Sequence, residues 1–237
     1  MFDSLIRYFS KVKQLILVLL IPSQNGSYWE GRGGESSKNG YLLKINDISN
    51  NFIYDNLKDL SYDSVLEIGS NCGNRLIQKA IENPHIMFTG IDINLNAIQI
   101  GQSYASKHKI NNLNFLHYDV ESEEFFKFLQ QNKFDIIFAW ATLIYVHPLR
   151  IIRLMRELIL ATNNRLIIIE QHSDNLKMWP TWRGVFIGFG PNWVRNYRKI
   201  LFKTQCKFVS SAFIEVPKDI WSPGGGMGYL IKVSKTK

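Results

Sequence analysis

The chain has 237 residues, 46% of them hydrophobic, and 28 Lys and Arg against 20 Asp and Glu give it a formal charge of +8. This length supports one full core and one domain with an N-terminal extension. The two distant cysteines, Cys72 and Cys206, fit neither a secreted disulfide framework nor a metal-ligand spacing, which points to a reducing, cytoplasmic compartment and no metal. The basic residues are scattered rather than blocked, which argues against nucleic acid as a partner and leaves anionic small molecules and lipid headgroups open.

The first element is an apolar run, residues 14 to 21, preceded by Arg7, Lys11 and Lys13. It is too short to span a bilayer and no small-x-small cleavage site follows it. Read as a helix, Phe2, Leu5, Ile6, Phe9, Ile16, Leu19 and Leu20 share one face. Two readings stand: peripheral membrane contact through residues 1–21, or packing against the domain or a partner subunit. Residues 23 to 40 are rich in Gly, Ser and Asn and read as a loop, with Tyr28-Trp29-Glu30-Gly31-Arg32 embedded in it. Trp29 then either docks that loop on the core or helps it cover a ligand.

A helical stripe of Ile48, Phe52, Ile53 and Leu57 predicts a helix over Ile45 to Leu60. From there strands and helices alternate. Strands are expected at 64–68, 85–91, 113–117, 134–139 and 165–170, and helices at 74–82, 95–108 and 149–162, a spacing that argues for a parallel sheet with right-handed crossovers. Two β-rich runs, 206–216 and 228–233, flank Trp221-Ser222-Pro223-Gly224-Gly225-Gly226 and predict an antiparallel pair. No internal repeat is evident.

The residues that carry chemistry stand at the strand ends. Ser64-Val-Leu-Glu-Ile-Gly-Ser-Asn-Cys-Gly-Asn74 is a buried strand breaking into a glycine turn, with Glu67 just ahead of it. Dinucleotide folds use G-x-G-x-x-G to bring amides against a pyrophosphate; here the glycines are spaced G-x-x-x-G and the carboxylate would repel phosphate. Such a turn suits a cationic ligand. Asp92 ends the second strand, 25 positions on, where an acid accepts from both hydroxyls of a ribose, although an aspartate after a strand is also a common turn former. Asp119 follows the third strand. Three acids at three successive strand ends converge on one crevice.

These residues resemble the first three motifs of the class I S-adenosylmethionine-dependent methyltransferases, over about residues 60 to 235. Glu67, Gly69 and Gly73 match the acidic, glycine-rich first motif, with Asn71 standing where the commonest version has a glycine. The resemblance implies an α/β, doubly wound Rossmann-like fold: a mostly parallel seven-stranded sheet with a C-terminal antiparallel hairpin, residues 61–237, behind an N-terminal helical extension and cofactor-covering loop, residues 1–60. It implies S-adenosyl-L-methionine as cofactor, held by Glu67, Gly69, Ser70, Asn71, Gly73, Asp92, Ile93, Asp119, Val120 and Ala139, with Asp119 accepting from the adenine amino group.

The stretch after strand four, Trp140 to Pro148, has neither Asn-Pro-Pro-Tyr nor Pro-Cys and instead resembles the apolar stretch of small-molecule enzymes. The acceptor implied is a small molecule, a sugar or a lipid-linked compound, most simply methylated at oxygen. Trp140 and Tyr145, with Trp179 and Trp182 from the aromatic segment beyond strand five, are candidate acceptor contacts. His147 and His172 are candidate general bases, set against the plainer reading of hydrogen-bonded loop histidines. The basic run Arg195 to Lys207 reads as a solvated helix face or a holder for an anionic handle. Two rivals remain at this stage: a nicotinamide-dependent oxidoreductase on a related fold, and a non-catalytic cofactor binder recruited to a membrane.

Overall fold

A computed structural model describes residues 48–177, 181–186, 192–208, 210–220 and 228–235, together with Val12, Ile16 and 29–31. The expected helix over residues 1–21, most of the loop 23–40, Trp179 and the glycine-rich connection 221–226 lie outside the described residues.

Helix α1 (Ile48–Asp55) precedes a regular alternation of β1 (Ser64–Ile68), α2 (Asn74–Glu82), β2 (Met87–Asp92), α3 (Leu95–Lys107), β3 (Leu113–His117), α4 (Glu123–Gln131), β4 (Phe134–Trp140), α5 (Ile151–Ala161) and β5 (Thr162–Gln171). A short pair, β6 (Val185–Phe186) and β7 (Trp193–Val194), leads to α6 (Tyr197–Thr204), and β8 (Ser210–Glu215) and β9 (Gly228–Ser234) finish the chain's described elements. The main sheet has seven strands in the order β3-β2-β1-β4-β5-β9-β8. The first five are parallel, and β9 runs antiparallel between β5 and β8.

Continuous apolar strands are what a sheet covered on both faces requires. Leu66, Ile68, Ile91, Ile137, Ala139 and Ile168 face one way, into a core closed by α4, α5 and α6. Val65, Phe88, Ile136, Phe138 and Ile167 face the other, into a core closed by α1, α2 and α3. The strand order reverses at β1 and β4, and in open α/β sheets this is where ligand crevices form, outside the carboxyl ends of the strands.

The expected strands and helices are present, with shifted ends at several. α1 stops at Asp55 rather than Leu60, because Asn56 donates from both its backbone N to Ile53 O (3.0 Å) and its side chain to Phe52 O (2.8 Å), tightening the last turn. β5 is longer than expected at both ends, where Thr162 pairs with Phe134 of β4 and Gln171 with Gly228 of β9. α4 went unassigned in the sequence, although Ser122 caps it by accepting from Phe125 N at 3.1 Å and Glu123 and Glu124 fill its first turn.

The glycine turn is held by sterics as well as by backbone freedom. Gly69 and Gly73 lie at φ +74° and +83°, and a Cβ would sit 2.1 Å from Thr142 Oγ1 at Gly69 and 2.3 Å from Phe115 Cζ at Gly73. Gly73→Ala therefore combines left-handed strain with an overlap against a buried ring, and is expected to cost about 2 to 4 kcal/mol. A drop in chemical-denaturation midpoint measured on the two proteins checks this; an unchanged midpoint would show that Phe115 yields freely.

Candidate active site

The turn after β1 is tied to the end of β2. Gly69 N and Ser70 N both donate to Ile91 O (2.7 and 2.9 Å), Asn71 N donates to Asp92 Oδ2 (2.8 Å), Cys72 N to Asn71 Oδ1 (2.8 Å) and Gly73 N to Ser70 O (2.9 Å). All five amides of the turn are thus engaged within the protein. Asn71 takes the left-handed conformation at φ 51°, the backbone geometry that a glycine in that place would supply without strain.

Asp92 is the hub. Its second oxygen accepts from Asn94 N at 2.8 Å, so each carboxylate oxygen holds one loop amide and retains lone pairs toward the crevice. Burial pushes its carboxyl up from the ordinary value, opposed by the hydrogen bonds from the Asn94, Asn71 and Ile93 amides. Asn94 caps α3 by accepting from Ala97 N (3.0 Å) and donates from Nδ2 to Trp29 O (2.8 Å), while the Trp29 ring meets Tyr145 edge-on at 5.0 Å. Trp29 therefore reaches both the residues just past β2 and the loop after β4.

Glu67 is fully buried and shares Oε1 with Arg75 of α2 (3.0 Å), whose guanidinium lies 4.8 Å over the Trp140 ring. Its Oε2 is buried without a hydrogen-bond partner. Desolvation raises its carboxyl to about 7, with Arg75 pulling down and Asp92 adding to the rise. Asp119, two positions past β3, is exposed and accepts from Glu121 N at 2.9 Å. The strand register places Glu67, Asp92 and Asp119 along the carboxyl ends of three adjacent strands, as the sequence suggested. Ile93 and Val120 are half-buried beside Asp92 and Asp119, Ser70 is buried in the turn, and Ala139 is buried near the end of β4.

The acceptor and base candidates divide. Tyr145 is half-buried against Trp29, and Trp140 is buried between Phe52 and Arg75. Trp182 is not a pocket wall: it is 6% exposed and belongs to the apolar core under α5 and α6, where its burial is already complete. His172 is likewise a joint rather than a base. Its side chain is 1% exposed, Nδ1 accepts from Tyr197 N at 3.1 Å and so anchors the start of α6 on the end of β5, and Nε2 lies 3.2 Å from Asp174 Oδ1 in the loop that follows β5. His147 is half-buried beside the loop after β4; its Nδ1 accepts from Leu149 N at 3.2 Å, which assigns the proton of the neutral ring to Nε2.

Sequence reasoning missed three polar groups of this region. Glu121 Oε1 accepts from His147 N at 2.8 Å and joins the loop after β3 to the loop after β4. Glu170, at the end of β5, is buried beneath residues 142–144, and its position closing an apolar strand is the same signal that marked Glu67. Arg195, expected on a solvated face, is fully buried, and nothing in its basic surroundings in the sequence distinguishes it.

Such a sheet, with a glycine turn and strand-end acids at its switch point, is the architecture of the class I methyltransferases. The chain belongs to the methyltransferase-domain family, whose model matches residues 60–188, more than half of its length. Among solved structures it is similar to an S-adenosylmethionine-dependent methyltransferase from Leishmania major (13% identity, TM-score 0.62, covering 89% of this chain and 81% of that one). It is similar also to the N-terminal domain of EvdMO1 with S-adenosylhomocysteine bound (14%, 0.60, 81% and 82%). A third is magnesium protoporphyrin IX methyltransferase from Synechocystis PCC 6803 with S-adenosylhomocysteine bound (14%, 0.52, 96% and 99%). At these identities the likeness is one of fold. No curated protein matches the sequence significantly.

Two buried carboxyls make the pH dependence of stability readable. Burial raises Glu67 and Glu170 from 4.5 to about 7 in the folded protein. Between those values each binds more proton folded than unfolded, so this contribution is fully present below about pH 4.5 and is lost as pH rises through about 7. Glu67→Gln is expected to flatten the decline in unfolding free energy between pH 5 and 7.5, by on the order of 3 kcal/mol if the full shift is expressed. Urea titrations at the two pH values read it, and an equal slope in both proteins would overturn the assignment.

Proposed function

We propose that the chain transfers a methyl group from S-adenosylmethionine to a small-molecule, sugar or lipid-linked acceptor, most simply at oxygen. One observation carries the choice of donor: every amide of the glycine turn, from Gly69 to Gly73, already donates inside the protein, so the turn offers no cradle for a pyrophosphate. The groups it leaves toward a ligand are acceptors. Buried Glu67 Oε2 lacks a donor and fits the ammonium of the amino-acid end; Asp92 fits the ribose hydroxyls and Asp119 the adenine amino group. This arrangement disfavours the nicotinamide rival, and family membership supports transfer over mere binding.

When bound, S-adenosylmethionine supplies an activated methyl group on a sulfonium. The protein's own part is alignment. Asp92 and Gly69 to Gly73 fix one end of the crevice, and Trp29 links the residues after β2 to Tyr145 in the loop after β4. Holding donor and acceptor in line accounts for a large share of acceleration in such a displacement. His147 is the histidine left for proton chemistry on the acceptor side; with Nδ1 held by Leu149 N, removal of a proton at that ring requires this contact to open, and alignment carries more of the work. The free thiols Cys72 and Cys206 support the cytoplasmic assignment. Peripheral membrane contact through residues 1–21 remains part of the proposal for a lipid-linked acceptor.

Isothermal titration with S-adenosylhomocysteine and NAD tests the donor. Binding of the first, weakened at least tenfold in Asp92→Ala, is expected; tight NAD binding without it would sink the reading. Because Glu67 is a better counter-ion when ionised, affinity for S-adenosylmethionine is expected to tighten as pH rises from 6 to 8, and Glu67→Gln to remove that slope. A separate rate measurement addresses the histidine: if His147→Ala leaves the pH-rate profile of the alkaline and acid limbs unchanged, base catalysis there is excluded.

A further inference from the structure

We propose that Glu170 and Arg195 are positioning residues for the acceptor side of the reaction, acting by fixing the backbone of residues 142–146 from two sides. The proposal rests on the methyl-transfer reading above.

Glu170 and Arg195 are both fully buried, and the hydrogen bonds of each go to main chain. Glu170 Oε1 accepts from Thr142 N (2.9 Å) and Leu143 N (2.6 Å), and Oε2 accepts from Ile144 N (3.2 Å). Arg195 donates to Leu143 O (2.7 Å), to Val146 O and to Trp193 O (3.1 Å). One anion thus gathers three successive amides while one cation gathers carbonyls of the same loop. The backbone enters this clamp through Ala141 at φ 50°, a left-handed conformation that alanine adopts only when its surroundings impose it.

Stability alone gives no reason for such an arrangement. Buried charges are frequently no better for stability than well-packed apolar groups, whereas two charged groups whose bonds converge on the main chain of one short segment specify that segment's conformation. The segment matters for geometry at both ends. Thr142 stands over Gly69, where a Cβ on that residue would strike its side chain, and Tyr145 meets Trp29. The clamp therefore sets the distance between the donor turn and the wall that faces an acceptor. The other titratable groups facing it are Tyr197, beside both charged residues, and Glu121, which lies toward Arg195.

The test uses the full chain, with Glu170→Gln, Arg195→Lys and, as a core truncation that removes none of the loop's hydrogen bonds, Leu158→Ala. Three quantities are read: amide hydrogen exchange of a peptide spanning 141–147, the dissociation constant of S-adenosylhomocysteine, and S-adenosylhomocysteine release from S-adenosylmethionine with a deproteinised metabolite and lipid extract as acceptor probe. Glu170→Gln is expected to speed exchange of the 142–144 amides at least tenfold at pH 8. It should raise the half-saturating extract at least fivefold, with the dissociation constant and maximal rate changed less than twofold. Leu158→Ala should lower the melting temperature without that split.

Exchange in Glu170→Gln equal to the unsubstituted protein, or cofactor affinity lost in step with acceptor saturation, overturns the proposal. Should Glu170→Gln fail to fold, Arg195→Lys, which keeps the charge but not the fork, must show the same split. If the unsubstituted protein binds S-adenosylhomocysteine yet releases none with the extract, the transfer reading falls, and the exchange comparison decides the positioning claim alone.

Discussion

The architecture of the site depends on how the first glycine turn satisfies its own backbone. Ile91 O takes two of the turn's amides and the Asp92 carboxylate takes a third, so the end of β2 is the template on which the turn after β1 is shaped. A buried amide must find a partner somewhere. In a phosphate-binding turn the ligand supplies it; here the neighbouring strand does, which leaves the turn without free amides for a phosphate. The same turn is closely packed, with Thr142 against Gly69 and Phe115 against Gly73.

The second constraint is the stacking of loops over this turn. Asn94 reaches Trp29, Trp29 reaches Tyr145, and Glu121 reaches His147, so segments far apart in sequence are joined across the strand ends. Each link is a hydrogen bond or a ring contact worth little alone. Their common effect is that the loops after β2, β3 and β4 are located relative to one another and not only to their own strands.

The fold was legible in the sequence because its signals are local and periodic. Apolar runs ending in Glu67, Asp92 and near Asp119 mark parallel strands, and the amphipathic stretches between them mark the crossovers. The strand-end placement of the candidate donor residues was legible for the same reason, since periodicity locates where each strand stops. The acceptor side was less so. His172 and Trp182 carry types that suit catalysis or recognition, but their burial is settled by α6 and by the core beneath α5, through tertiary contacts such as Tyr197 N to His172 Nδ1 that no local pattern encodes. Arg195 sits in a run of basic residues that differ only in which of them points inward, a fact set by tertiary packing. Trp179 lies outside the described residues.

The position of β9 has a consequence for how the molecule is made. It lies between β5 and β8, pairing with β5 along seven residues, although more than fifty residues of chain separate the two. While the chain emerges from the ribosome, β5 can join β4 but its other edge, carrying Ile167, Ile168 and Ile169, stays open until residues 228–234 arrive. An open apolar edge is a template for the wrong partner. Nascent protein thus passes through an interval in which its sheet carries an unpaired apolar edge, so the hazard of misassociation is set by chain order and not only by the final stability of the sheet.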